Sequence, residues 1–302
     1  MWFKNLQVYR LPAPWNVSVD ELGAALAKHV FQKCGNQDRE SAGWLPPKDK
    51  DERLVIELGG QWLLALGTES KLLPSSVVNE FAKDRINEIE EKEGYRPGKK
   101  QQREIKERVV EELLPRAFSR KSRTQAWIDP TNGWLVVDAG SVAKAEDVIE
   151  HLRKSLDALP TKLIHTRTSP VTAMTEWLVS NEAPANFTVD RDCELRSELE
   201  EKAAVRYVRH PLDTAEVKAH IVEGGKTPTR LAMTFDDRIS FVLTEKLEIK
   251  KLGFLDILKE QSETAEDASM QFDMDFALMT GELQRLLPAL LEALGGEEPT
   301  SL

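Results

Sequence analysis

Residues Thr124–Asp138 read TQAWIDPTNGWLVVD. Two apolar runs, Thr124–Ile128 and Trp134–Asp138, are joined by Asp129-Pro-Thr-Asn-Gly133, in which Asn132-Gly133 supplies the chemistry of a tight turn. The stretch predicts an antiparallel hairpin, and the chain on both sides repeats the pattern. Upstream, Leu54–Leu58 and Gln61–Leu66 flank Gly59-Gly60; downstream, Thr229–Phe235 and Ile239–Thr244 flank Asp236-Asp237, with Lys246–Leu252 extending the sheet. Phe3–Leu11 alternates apolar and polar residues as a half-buried strand does, and Lys162–Thr166, Phe187–Arg191 and Ala204–Val208 also read as strands. Cys34–Asp38 and Gly43–Pro47 are turn-rich. Helical spacing takes over between these segments. Ser18 and Glu21 form a capping box ahead of Leu22, Leu26 and Val30; Lys144–Leu159 and Pro170–Ser180 follow, and Asp213-Thr214-Ala-Glu216 opens a helix ending at Gly224-Gly225. Phe272, Phe276, Met279, Leu283, Leu286, Leu290 and Leu294 then mark a long amphipathic helix, capped by Gly295-Gly296 and with Pro288 as a kink. Its stripe is read as core, with a dimer seam as the alternative. Hairpins mixed with helices, without regular βαβα alternation, give an α+β class: antiparallel sheets with packed helices.

The middle of the chain departs from this pattern. From Pro74-Ser75-Ser76, Val77, Val78, Phe81, Ala82, Ile86 and Ile89 form a narrow apolar stripe as far as Glu93, broken by Gly94-Tyr-Arg-Pro97-Gly98. A second stripe, Ile105, Val109, Val110, Leu113 and Leu114, is stopped by Pro115. These predict an antiparallel helical hairpin that projects from the body, held partly by charge between its own helices. Between Arg96 and Arg123 ten Lys/Arg face four Glu, a balance of +6 inside a chain of −10. Such a segment asks for an anionic partner. It closes on Leu113–Arg123, LLPRAFSRKSR, where Phe118 lies between Arg116 and Arg120. By its residues alone Phe118 reads as a buried anchor, an interface knob or a wedge against nucleic acid, with the buried anchor the commonest fate of an aromatic beside a helix end.

With 302 residues, 41% hydrophobic and 30% charged, the chain can build one elaborated core or two. No apolar run approaches the roughly 18 residues that span a bilayer. The opening carries Lys4 and Asn5 where a signal peptide needs an unbroken apolar stretch, so the expected location is the cytoplasm. Cys34 and Cys193 are too few for a disulfide framework and fit a reducing compartment. The segment from Glu260 to Leu302 holds ten Asp/Glu against Arg285 alone.

Reactive motifs are incomplete. Gly224-Gly-Lys-Thr227 resembles the end of a phosphate-binding loop, but the required first glycine would fall at His220 and no strand leads directly into it. His29, His151, His165, His210 and His220 show no metal-ligand spacing. Asp273-Met-Asp275, read as a calcium loop, would need glycine where Leu278 sits, and is better taken as the polar side of the last helix. There is no GxSxG, and Ser119 has no identifiable base. The expectation is a protein that is not an enzyme, with no catalytic set, no metal site and no cofactor.

WFKNLQVYRL, CGNQD, GWLPP, LLPSSVV, LLPRAFSR, WIDPTNGWLVVD, KAEDVIEHLRKSL, TEWL and FDMDFALMTGELQRLL occur in this order, and over Trp2 to about Gly296 the chain closely resembles the RdgC family of recombination-associated proteins. The resemblance implies a horseshoe-shaped subunit with a protruding helical-hairpin tip, and a ring-shaped homodimer closed at both ends around DNA in a basic hole. It implies binding to double-stranded DNA with little sequence preference, single-stranded DNA being left open, together with nucleoid association and restraint of the RecA recombinase. It divides the chain into a centre domain (1–75 and 124–165), a tip with its gate (76–123) and a base (166–302). On the same ground Phe118 matches the contact between tips that gates the ring. Lys99, Lys100, Arg103, Arg116, Arg120, Lys121 and Arg123 become the expected DNA-binding cations of the tip. Arg209 and His210 fall at the family's basic-polar pair near the basal interface, where His210 followed by Pro211 differs from the family's residue. The competing reading is a protein-interaction module whose charged hairpin binds a partner helix.

Overall fold

The structure, a computed structural model, describes residues 1–197, 203–256 and 267–298. Of the acidic C-terminal stretch, residues 260–266 and 299–302 lie outside the described residues. In chain order the elements are β1 (Leu6–Arg10), α1 (Val19–Leu26), β2 (Glu40–Leu45), β3 (Val55–Leu58), β4 (Gln61–Lys71), α2 (Ser75–Glu93), α3 (Lys99–Leu113), β5 (Ser119–Asp129), β6 (Trp134–Asp138) and α4 (Val142–Ser155). They continue with β7 (Lys162–Leu163), α5 (Pro170–Ser180), β8 (Phe187–Ser197), β9 (Ala204–Tyr207), α6 (Ala215–Val222), β10 (Lys226–Phe235), β11 (Ile239–Thr244), β12 (Ile249–Phe254) and α7 (Ala268–Ala293). The class is α+β. One antiparallel sheet runs β2-β4-β5-β6-β1-β12-β11-β10-β8-β9, with β3 added to β4 and β7 to β1.

The β5–β6 hairpin forms as its turn residues dictate, pairing Ala126 with Val137 and Asp129 with Trp134. It is buried on both faces, which explains its unbroken apolar run. Trp134 and Val136 join a large cluster with α5, α6 and α7, while Leu135 and Val137 join a second one with α1 and α4. Gly133 has φ +71°, and a Cβ there would stand 2.5 Å from the Leu11 carbonyl oxygen. The turn is closed by Asp129, which is fully buried. Its carboxylate accepts from the N–H groups of Thr131 (3.1 Å) and Asn132 (3.0 Å), from Asn132 Nδ2 (2.8 Å) and, across the fold, from Gln284 Nε2 of α7 (2.7 Å).

Helix ends follow local chemistry. Ser18 and Glu21 make the expected capping box, Ser141 caps α4, and Asp267 accepts from Ser269 and Met270 at the start of α7. The stripe of α7 is core, with Phe276, Met279, Leu283, Leu286 and Leu290 almost wholly buried, and the helix runs on through Pro288.

Several expectations need correction. Gly43–Pro47, read as a turn, contributes to strand β2, whose Trp44 is buried and donates from Nε1 to Ser155 Oγ at 2.9 Å. The strand expected over Lys162–Thr166 shrinks to Lys162–Leu163, and that over Phe187–Arg191 extends to Ser197. The strand expected from Lys246 starts at Ile249, because Leu247 turns at φ 59°. Asp275 is not on a solvated face: it is buried and meets Gln271 Nε2 and the Met1 amino group. The strand expected over Thr229–Phe235 begins earlier, at Lys226, directly after Gly224-Gly225.

Replacing Asp129 by Ala strips four N–H donors of their acceptor. The expected loss is about 3 kcal/mol, the upper end for removing one buried hydrogen-bonding partner, read as a lower urea midpoint with unchanged slope.

Candidate nucleic-acid interface

Helices α2 and α3 form the expected finger. Gly94, in the left-handed region at φ 74°, ends α2 with its N–H on the Glu90 carbonyl at 2.9 Å, and Gly98 precedes α3. Val78, Ala82 and Ile86 face Ile105 and Val109 in a cluster separate from the other two. Phe81, read from its spacing as part of this stripe, is 44% exposed. Arg85 reaches Glu112 of the opposite helix at 3.5 Å, an exposed pair that adds little beside the apolar seam.

The finger is rooted on β4 and β5, which stay paired up to its base, Lys71 opposite Ser119 and Gly67 opposite Arg123, with β2 alongside β4 as far as Ser70. Glu69 on β4 is buried and holds this root: it accepts from Ser119 Oγ at 2.6 Å and from the Cys34 N–H at 3.1 Å. The Ser119 hydroxyl first, then the Cys34 N–H, with Lys121 and Lys71 nearby, keep its carboxyl below its ordinary 4.5. A 3₁₀ turn, Leu114–Arg116, connects α3 to β5. Leu114 is its buried residue, not the aromatic four positions on.

Phe118 is 85% exposed, which overturns the buried-anchor reading. Its backbone is fixed, since its carbonyl accepts the Leu72 N–H at 2.7 Å, while its ring stands in solvent near the half-exposed Leu72. A large apolar ring held outward between two cations is an informative exception to burial. Arg116, Arg120 and Lys121 around it are exposed and, among the described residues, in no ion pair; Arg123 pairs with the exposed Asp49 at 3.2 Å.

The nine cations and polar residues expected from the sequence do not form one site. Lys99, Lys100 and Arg103 lie on the first turns of α3, and Arg103 is drawn to Glu107 at 3.0 Å. Along α3 they stand about 15 Å (Arg103) to about 22 Å (Lys99) from the helix end at the root. Arg209 and His210 follow β9, at the opposite end of the sheet, seven strand steps or about 34 Å from β5. Arg209 takes φ 52° and donates its N–H to Asp192 Oδ1 at 2.7 Å. His210 donates its N–H to the Arg191 carbonyl at 3.0 Å, and its Nδ1 contacts the Pro211 carbonyl oxygen at 2.7 Å.

Comparison with known proteins bears on this arrangement. The family model described as "Putative exonuclease, RdgC" matches residues 1–297. The chain belongs to the RdgC family. It is 58% identical to the recombination-associated protein RdgC of Dechloromonas aromatica (strain RCB), over 98% of each chain. It is 57% identical to the protein of the same name from Janthinobacterium sp. (strain Marseille), covering 98% of this chain and 99% of that one, and 54% identical to that from Herminiimonas arsenicoxydans, over 99% of both. The family description carries the word exonuclease, whereas the names of these relatives state no enzymatic activity. Among the described residues no three His, Cys, Asp or Glu side chains are grouped so as to hold a metal ion, and no helix is long and apolar enough to cross a membrane.

Because the carboxyl of Glu69 sits below its ordinary value, the stability it adds is present above pH 4.5 and is lost as the pH falls through its lower folded value. Urea unfolding of the wild type and Glu69→Gln should therefore differ at pH 7 and converge as the pH drops below 4.5.

Proposed function

We propose that this chain binds double-stranded DNA without reading its sequence and acts in recombination by limiting the access of RecA to DNA. The observation that carries the reading is the finger root: Arg116, Arg120 and Lys121, exposed and without ion pairs among the described residues, gathered around an outward Phe118 in a chain whose net charge is −10. Lys and Arg that meet phosphates release counterions and supply affinity independent of sequence. The names of the relatives place them in recombination, and binding of this kind would occupy the DNA on which a recombinase assembles.

In this reading two horseshoe subunits close into a ring homodimer around the duplex. Residues 76–123 form the tip, 1–75 and 124–165 the centre, and 166–302 the base, with Arg209 and His210 near the basal contact. A two-fold dimer repeats every basic patch across the opening, while the outside stays acidic, near −20 for two chains of −10. Phe118 from each copy makes the tip contact. A contact built on so little apolar area is the weaker of the two closures, so the tip is the gate. The protein works in the cytoplasm on the nucleoid, and its role is binding rather than catalysis.

Affinity for random duplexes should fall by about a thousandfold or more between roughly 50 and 200 mM salt, as expected for six or more phosphate contacts, and vary little with sequence. Fluorescence anisotropy over a salt series measures this, and a flat response would refute the reading. Phe118→Ala should shorten retention on closed circular DNA and leave retention on short linear duplexes nearly unchanged; equal retention on circles would refute the gate.

A further inference from the structure

Helix α1 is apolar on two sides. Leu22 and Leu26 are fully buried in the cluster that α1 shares with α4. Val19, Gly23 and Ala27 recur at intervals of four, and with Val30 they carry a second apolar stripe past the 3₁₀ turn Ala27–His29 that prolongs the helix. Opposite this stripe stand Pro46, after β2, and Leu54 and Val55, at the start of β3, and a groove of about 610 Å³ lies between the two walls. Val19 and Leu54 rest on the core, whereas Ala24 and Ala27 are exposed and Val30 is 47% exposed.

Gly23 and the rim of the groove say what kind of body fits there. A glycine inside a helix weakens it relative to alanine. Nothing among the described residues calls for one at this position: its backbone is that of the surrounding helix, and a Cβ there would meet no atom within 4 Å. The missing methyl serves only something that comes close from outside. The rim is acidic. Asp20, Asp51 and Glu52 meet Arg53 alone in the lining, and Arg53 is tied to Asp51 at 2.6 Å. Asp20 and Glu52 are exposed and make no ion pair among the described residues.

We propose that the groove between α1 and the start of β3 takes an amphipathic, basic α-helix of a partner protein, its apolar stripe against Val19, Gly23 and Leu54 and its Lys or Arg toward Asp20 and Glu52. Small residues at a spacing of four let two helices approach to the near end of the 8–10 Å range of axis separations. The stripe from Val19 to Val30 covers about three turns, the length over which a groove-bound helix sets its i, i+4 and i+7 anchors. Charge complementarity decides the sign of the partner: the carboxylates that attract such a helix repel phosphates. The groove is also remote from the finger. Leu64, opposite Val55, and Lys71, opposite Ser119, stand seven residues apart on β4, about 23 Å.

The inference goes beyond the DNA-binding reading and does not depend on it, so its test contains no DNA. The probe is a fluorescein-labelled peptide of about 18 residues with Leu along one helical stripe and Lys over the remaining surface, titrated with the full chain. Wild type should raise its anisotropy, and a peptide of the same composition with the Leu dispersed, or one with Glu in place of Lys, should bind about tenfold more weakly or worse. Ala24→Arg fills the groove from an exposed position and should cut affinity for the striped peptide about tenfold or more at an unchanged melting temperature. Gly23→Ala should raise the melting temperature by restoring helix propensity and still weaken binding, which separates a lost contact from a folding defect. Equal binding of striped and dispersed peptides, equal binding by wild type and Ala24→Arg, or no binding by wild type overturns the proposal. So does sedimentation in which Ala24→Arg alters how many copies associate, since the groove would then belong to a second copy of this chain.

Discussion

A carboxylate taken out of water costs several kcal/mol unless hydrogen bonds replace the water, and Asp129 is held fully buried by four N–H donors. Three of them come from the turn it opens, which makes the turn self-sufficient. The fourth, Gln284, arrives from a helix 155 residues further along the chain. A local device that shapes one hairpin is thereby the seat of a long-range contact. The donor set is complete only with the last helix docked, so the geometry of the central strands and the placement of α7 stand together.

That coupling matters because the sheet is weakly joined at its middle. β1 and β12 pair at one register position, Leu6 with Ile249, supplemented by the Leu252 N–H on the Lys4 carbonyl at 2.8 Å. Strand pairing alone would leave a hinge there. α7 lies across the join: the cluster it completes holds Trp127, Trp134 and Val136 from one side and Leu231, Phe241 and Leu243 from the other. Its flanks are fastened on both sides too, Asp273 to Lys48 at 2.6 Å and Glu282 to Arg238 at 2.6 Å. Buried apolar area and not hydrogen-bonded continuity is what unites the two halves of the sheet.

The hairpins were legible because their determinants are local: Asn132-Gly133, Gly59-Gly60 and Asp236-Asp237 announce turns whatever the rest of the chain does. The strands that escaped reading are those whose reasons are distant. Gly43 looks like a turn residue, yet it is glycine because a Cβ would meet the Phe31 backbone at 2.5 Å, where Val30 and Trp44 bridge in parallel. The end of β8 was hidden by its charges, since Asp192, Glu194 and Arg196 belong to a face that no helix covers among the described residues. The same cause hides what surrounds it: Arg206, Arg230 and Lys250 are scattered over three strands, and only the register brings them into neighbouring rows. For Phe118 the misleading signal was statistical. Aromatics beside helix ends are usually core, but here Leu114 fills that place and the ring is left outside.

The spacing of the cations has a physical consequence for how an acidic protein can hold an anion. Root, finger end and the Arg209-His210 pair lie tens of ångströms apart, several times the screening length of about 8 Å at physiological salt. Each patch is therefore electrostatically independent of the others and of the acidic stretches between them, and none attracts a polyanion strongly alone. Independent weak contacts add only when they are held at fixed separations that a stiff ligand can match. Duplex DNA is such a ligand, with a persistence length of about 150 base pairs. Charge on a flexible tail would reach it with no defined geometry. The sheet carried across its weak join by α7 is the part of this molecule that keeps the root of the finger and the Arg209-His210 pair at a constant distance, so the packing of an apolar helix sets how strongly the proposed contacts act together.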